Sequence, residues 1–321
     1  MKSANACAVL ILATPALSFP VFSQQYPLRP IRIIVPLAPG GGMDAISRAL
    51  GTKLSDSLGQ SVIIENRMSA GGQAALEILH AANSDGHTLM VSRLTAVTHP
   101  LLYGSRFDLV RDFAPVSQIT AQGYVLAVHP NVPANTVTGF VQHLKANPGK
   151  LSYASSGTGS PIHLAGELFL LMTGTSMTHV PYKGMAVGYV DMIAGRVEAG
   201  FPTIISSVPH IQAGRLRALA VTHSRRVAAV PEVPTFSESG VKGVIVISWF
   251  GLFAPATTPK LLVERISSEV RAAIHSLEMK KRLAADGSEP VGSTPKEFAD
   301  HIRAEHELWS RVMEKTHLKR R

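Results

Sequence analysis

The sequence predicts a two-lobed α/β chain, each lobe a sheet flanked by helices, with a two-strand hinge between them. Three observations predict it. Short apolar runs alternate with amphipathic segments from Arg29 to Val246. The alternation starts afresh after Tyr124–His129, so it falls into two blocks. Each block carries one glycine-rich turn set between an apolar run and a helical segment. Repeated strand–helix units imply parallel sheets with helices on both faces.

The elements follow in order. Ile31–Leu37 is a near-continuous apolar run, as expected of a strand buried on both faces. Ala45–Leu58 sets Ile46, Ala49, Leu50, Leu54 and Leu58 on one helical face. Ser61–Glu65 is a strand, Gly72–Ala82 a helix and Thr88–Ser92 a third strand. Asp108–Phe113 leads into a strand at Val116–Ile119, and Tyr124–His129 is the next. The second block has a helix at Val137–Asn147, a strand at Leu151–Ala154 and a helix at Pro161–Met172. Ser160 suits that helix's N-cap and Pro161 its first position. Strands are expected at Ser176–Val180, Val197–Phe201 and Leu216–Thr222, with helices at Met185–Ala194 and Ser206–Ala213. Ile245–Ala254 is the returning strand. Pro259–Ile274, Leu277–Ala285 and Pro295–Lys315 are helices expected to pack on the first lobe. Residues 24–124 plus 253–321 are assigned to that lobe and 125–252 to the second.

Residues 1–23 carry Lys2 as their only charge and hold the apolar pieces Val9–Leu12 and Ala16–Phe19. They read as a secretory signal peptide cut near Ser23. The apolar stretch is too short, and too broken by Pro15, to be a membrane anchor. Cys7, the single cysteine, lies inside it. The mature chain then has no thiol, which excludes disulfides, cysteine-ligated metal and cysteine nucleophiles. The formal net charge is +9, and +8 without Lys2. A basic exported protein meets nucleic acid, an anionic surface or small anions. Nucleic acid is disfavoured, because the basic residues are scattered apart from Lys280-Lys281-Arg282 and the tail from Lys315 to Arg321.

The two glycine turns are Pro39-Gly40-Gly41-Gly42-Met43-Asp44 and Ser155-Ser156-Gly157-Thr158-Gly159-Ser160. A strand, a glycine loop and a helix start make an anion site, since free N–H groups and the positive helix end face the loop. Enzyme signatures are missing. No G-x-S-x-G, Walker loop, G-x-G-x-x-G or H-E-x-x-H occurs, so no cofactor or metal is expected. His163 and Glu167 share a helix face, yet no third ligand is local. His163 is expected to bond its loop or a ligand. Asp44 is a candidate base, or a helix-start residue that orients the first loop.

These residues resemble the Bug family, the extracytoplasmic solute-binding proteins of tripartite tricarboxylate transporters. The similarity is carried by Tyr26-Pro27, Val35-Pro36 with Ala38-Pro39-Gly40-Gly41 and Asp44, Glu65-Asn66-Arg67, and Asp85-Gly86-His87-Thr88-Leu89. Further on it is carried by Ser156-Gly157 with Gly159-Ser160, by His163-Leu164-Ala165, and by His179-Val180-Pro181-Tyr182-Lys183-Gly184. Trp249, Gly251-Leu252 and Ala254-Pro255 complete it. The resemblance implies a two-lobed, type II-like periplasmic binding protein, monomeric and non-enzymatic, that closes on a small mono- or dicarboxylate. Its expected partners are membrane permease subunits or a membrane sensor. It also implies that both glycine loops hold the ligand through N–H and hydroxyl groups. Thr95 and Ala96 would complete the first-lobe wall, and Tyr182 and Lys183 either touch the ligand or pack their loop.

The sequence departs from the family pattern at Met43, Phe201-Pro202, Val187-Gly188 and Ala256-Thr257. Phe-Asp is usual where Phe201-Pro202 stands, so a partner for a ligand amine is expected to be lost. Three other readings stand beside the transport receptor: an orphan receptor for a sensor, an esterase-like enzyme using Ser156 or Ser160 with His163, and a basic surface-binding protein.

Overall fold

The computed structural model describes residues 26–69, 72–285 and 287–316. The signal peptide expected at 1–23, with Cys7, and the last five residues of the basic tail lie outside them. Among the described residues no helix is long and apolar enough to cross a membrane.

The first block builds β1 (Ile31–Val35), α1 (Gly42–Leu58), β2 (Val62–Asn66), α2 (Gln73–His80), β3 (Thr88–Arg93), α3 (Thr95–Tyr103) and β4 (Phe113–Gly123). The second builds β5 (Val125–Val128), α4 (Val137–Ala146), β6 (Ser152–Ser155), α5 (Pro161–Thr173), β7 (Thr178–Pro181), α6 (Met185–Ile193), β8 (Ala199–Gly200), α7 (Ile204–Gln212) and β9 (Arg217–Val221). The chain then returns through β10 (Ile247–Pro255), α8 (Lys260–Ile274), α9 (Leu277–Ala285), β11 (Glu289–Pro290) and α10 (Pro295–Thr316). One sheet has the order β11-β4-β10-β3-β1-β2 and the other β7-β6-β8-β5-β9.

The sheets are mixed, which corrects the expected parallel pattern. β1 runs parallel to β2 and β3, and β6 parallel to β7 and β8. β10, however, runs antiparallel to both β3 and β4, and β5 antiparallel to β8 and β9. The reason is the path of the chain. β4 carries it out of the first sheet and β10 carries it back, so the two run in opposite directions.

All of β10 pairs within the first sheet. The return crossing therefore falls before Ile247, and the boundary expected at 252/253 moves with it. Thr222, fully buried, joins the two crossings. Its Oγ1 accepts the Tyr124 N–H at 2.9 Å and donates to the Val246 carbonyl at 2.7 Å. Its own N–H donates to the Tyr124 carbonyl, and its carbonyl accepts from Val246.

Two further differences concern helices. α3 is absent from the sequence reading because Thr95, Val97 and Thr98 are β-branched and Pro100 sits inside the segment. Proline removes an intrahelical donor and β-branching lowers propensity, so packing against α10 holds this helix. α8 and α9 pack on the first lobe as expected, whereas α10 also reaches α5 of the second. Its buried stripe of Phe298, Ile302, Glu305, Trp309, Val312 and Met313 follows the helical period. One apolar cluster accordingly runs through both lobes and holds Leu76, Met90 and Leu102 of the first, Phe140, Leu164 and Phe169 of the second, and Trp309 of α10.

Candidate ligand-binding site

A cavity of about 210 Å³ opens beyond the C-terminal ends of β1, β2 and β3. Ligand crevices of open α/β sheets form at this edge, where strand ends and helix starts leave polar backbone unpaired. Pro36 and Leu37 follow β1, and Ser69 and Gly72 precede α2. Met90, Ser92 and Arg93 come from β3, and Thr95, Ala96, Thr98, His99, Leu102 and Tyr103 from α3. The second lobe closes the cavity with Thr158, Gly159 and Ser160. The wall thus holds Thr95, Ala96, Thr158, Gly159 and Ser160 of the expected site. It does not hold Pro39, Gly40, Gly41, Gly42, Met43, Asp44, Ser155, Ser156, Gly157, His163, Tyr182 or Lys183.

The second loop is positioned from behind by buried histidines. The N–H of Gly159 donates to His163 Nδ1 at 2.9 Å. A neutral ring that accepts at Nδ1 carries its proton on Nε2, which faces Glu167 Oε1 at 3.7 Å. His163 stacks on His179 at 3.8 Å between centroids, and His179 Nε2 lies 2.6 Å from Ser155 Oγ. Burial first, and His179 second, push the His163 pKa down to about 3, so this imidazole is neutral near pH 7. Burial also lowers His179 and raises Glu167, which accepts the Tyr153 hydroxyl at 2.6 Å.

Ser160 caps α5, its Oγ accepting from His163 N at 3.3 Å, and Pro161 fills the first turn. Gly159 has φ +76°, and a Cβ there would stand 2.6 Å from Leu102 Cδ1 of α3. Only glycine lets this loop lie so close to the opposite lobe.

The loop's donors differ from the expectation. The N–H groups of Gly157, Gly159 and Ser160 are taken by Ser155 Oγ, His163 Nδ1 and the Gly157 carbonyl. The two residues that line the cavity beside Gly159, Thr158 and Ser160, offer their hydroxyls, and Thr158 its N–H as well. Ser155 is fully buried behind the loop, a correction to its expected ligand contact. His163 bonds the loop rather than the cavity. Its acceptor nitrogen is occupied, so it forms no nucleophile–base pair with Ser156 or Ser160. Tyr182 donates to Asp191 Oδ2 at 2.6 Å and Lys183 is exposed, which is the loop-packing alternative for both.

The first loop has a different construction. Asp44, 4% exposed, turns back on it. Its carboxylate accepts from Gly40 N at 2.9 Å, Arg48 Nε at 3.0 Å and Asn66 Nδ2 at 3.0 Å. The Arg48 bond is the main cause that lowers its pKa to about 2, with Gly40 and Asn66 adding to it. Asp44 is therefore the orienting residue, with no proton to exchange near neutral pH. Met43, 1% exposed, packs in the first-lobe core and does not line the cavity, unlike its expected place in the site. Gly40, Gly41 and Gly42 are exposed, and α1 starts without a side-chain cap, so its first-turn N–H groups stay open. Pro202 is buried, with its carbonyl accepting from Val125, and does not line the cavity. The acid missing from Phe201-Pro202 is thus no cavity feature of this chain.

Sequence reasoning missed Arg93, Thr98 and His99. The signal was available as an arginine at the end of an apolar strand. Without α3, nothing in the sequence turned Thr98 and His99 toward the same space. Among the described residues no group of three or more His, Cys, Asp or Glu could hold a metal ion.

Comparison with known proteins agrees with this architecture. Residues 46–318 match the sequence profile of TctC, the tripartite tricarboxylate transporter family receptor. Protein BugT of Bordetella pertussis is 34% identical over 310 residues, covering 96% of this chain and 95% of the relative. The structure of R. palustris Rpa4515 with adipate is similar at TM-score 0.73 and 33% identity, over 91% of this chain and 98% of the other. MatC from Rhodopseudomonas palustris with bound malate is similar at TM-score 0.70 and 29% identity, over 89% and 99%. The fold is thus that of two-lobed binding proteins, and the chain belongs to the tripartite tricarboxylate transporter receptor family, to which the Bug proteins also belong.

Proposed function

We propose that the protein is a periplasmic solute-binding protein that captures a small carboxylate between its lobes and delivers it to the permease subunits of a tripartite tricarboxylate-type transporter. One observation carries this reading. The cavity is walled by both lobes and lined by hydroxyls, with no acidic side chain in its lining. An anion meets donors there and no like charge. The adipate and malate held by relatives are small carboxylates and support the same reading. A volume near 210 Å³, below the roughly 300–1,000 Å³ of sites for drug-sized molecules, favours a small occupant.

Binding in this reading is a population shift. Thr158–Ser160 rests on α3 when the lobes are together, so ligand enters when the crossings at Tyr124 and Val246 let them part. A carboxylate that touches both walls stabilises the closed arrangement alone and draws the population toward it.

The test is a thermal-shift screen against mono-, di- and tricarboxylates with their methyl esters, followed by calorimetry on the hits. A ligand of the folded state raises the melting temperature by mass action. The acid should bind at least about tenfold more tightly than its ester, equivalent to roughly 1.4 kcal/mol, because charge-assisted hydrogen bonds become neutral ones. Equal binding of acid and ester would refute an anion site.

A further inference from the structure

We propose that Arg93 anchors a second carboxylate, so that the cavity selects short dicarboxylates over monocarboxylates of the same length. The inference rests on the carboxylate reading above and adds which acids are chosen and by which residue.

Arg93 ends β3, opposite Phe250 of β10, and lines the cavity on the first-lobe side. It is half-buried, and among the described residues no carboxylate forms an ion pair with it. Many of the other arginines are paired. Arg32, Arg48, Arg67, Arg111, Arg196, Arg225, Arg226 and Arg303 each hold an acid. The titratable group that Arg93 senses is Tyr124, whose phenol is pushed up to about 12 by burial and is neutral at pH 7. Burial also pulls the guanidinium pKa below its ordinary value, the mark of a cation held out of water without compensation.

A second observation points to the same place. Thr98 Oγ1 and His99 Nδ1 have no hydrogen-bond partner, both residues line this cavity, and Thr98 is only 1% exposed. Buried polar atoms are nearly always bonded, so this wall offers a cation and two polar groups to something that enters. Leu76, Met90 and Leu102 also line the cavity and can cover a short methylene chain.

The arrangement explains selectivity. One carboxylate takes the hydroxyls of Thr158 and Ser160 in the second lobe. The other takes Arg93 in the first, where a guanidinium binds a carboxylate through two parallel hydrogen bonds. A monocarboxylate satisfies one wall and leaves the other without a partner. Only the dicarboxylate gains from both walls when the lobes meet.

The experiment compares succinate, glutarate and adipate with butanoate, pentanoate and hexanoate by calorimetry, on the parent chain and on Arg93→Met, Arg93→Gln and Arg93→Lys. In the parent, the best diacid should bind at least about tenfold more tightly than the monoacid of equal length. Arg93→Met and Arg93→Gln should lower diacid affinity at least about tenfold and erase that preference, and Arg93→Lys should restore part of it. Ligand-free Arg93→Met should also be at least as resistant to urea as the parent, because it removes an uncompensated charge; a structural arginine would give the opposite result. Diacid preference that survives in Arg93→Met or Arg93→Gln overturns the assignment. Equal binding of diacids and monoacids by the parent overturns it too, while the carboxylate site itself stands. A parent chain that binds neither set removes the carboxylate reading and this inference with it.

Discussion

The two glycine loops are alike in sequence and unlike in structure. Each follows a strand, each starts a helix, and each was a reasonable anion cradle. The first is open: Gly40, Gly41 and Gly42 are exposed, α1 has no side-chain cap, and Asp44 braces the turn from inside. The second is closed and crowded. Its N–H groups are largely taken, a buried histidine stack braces it, and Gly159 lies against Leu102 of the other lobe. The difference teaches that a glycine motif specifies backbone freedom, and that its surroundings decide whether the freedom serves a ligand or a lobe contact.

The sharpest break of this comparison uses the glycines themselves. Gly159→Val should reduce ligand affinity at least about a hundredfold, close to 2.7 kcal/mol. A β-branched residue is strained at φ +76°, and its Cβ meets Leu102. Gly41→Ala should change affinity less than about threefold, since Gly41 has φ −80° and a Cβ there has nothing within 4 Å. Calorimetry on both variants, with circular dichroism to confirm folding, decides the matter. A first loop as sensitive as the second would mean that ligand reaches Pro39–Asp44.

Next in size are the braces. His163→Ala should cost about 2–4 kcal/mol, because it empties buried space and leaves the Gly159 N–H without its acceptor. Asp44→Ala should cost about 1–3 kcal/mol, because Gly40 N, Arg48 and Asn66 lose a shared acceptor. Urea unfolding measures both. The first variant should also weaken binding more than the second, since only its loop walls the cavity.

The loops also differ in their response to pH, which separates them by range. The folded His163 titrates near 3 against an ordinary 6.5. Between those values the unfolded chain binds the extra proton, so this stability is complete above about 6.5 and falls as pH drops toward 3, at most about 1.4 kcal/mol per pH unit. Asp44 titrates near 2 against 3.8, so its stabilisation persists above about 3.8 and is lost only below it. His163→Asn keeps an acceptor and removes the titration. Relative to the parent, it should flatten the urea midpoint between pH 6.5 and 4, whereas Asp44→Asn should flatten it only below 4. Glu305 acts in the opposite sense, since burial raises it to about 7, so the test lies in the difference between variant and parent. No change of slope in His163→Asn would show that the ring is protonated in the folded state.

Much of the molecule was legible before folding because its signals are local. Hydrophobic period, glycine turns and the Ser160-Pro161 helix start depend on neighbours in sequence, and they placed α1, α5, both loops and two blocks of strand and helix. Asp44 as an orienting residue was legible for the same reason, since its partner Gly40 is four residues away. The remainder depended on distant contacts. α3 defies its own propensity and exists because α10 packs on it. That helix then brings Thr98 and His99 into the cavity beside Arg93. Met43 reads as a loop residue and proves to be core, because the start of α1 turns it inward. The direction of β10 followed from where the chain had to return, which no short window contains. Local sequence determined which segments are stiff, apolar or free to turn. Only the tertiary structure decided which of them meet, because burial and the pairing of charges are properties of neighbours that the chain supplies from far away.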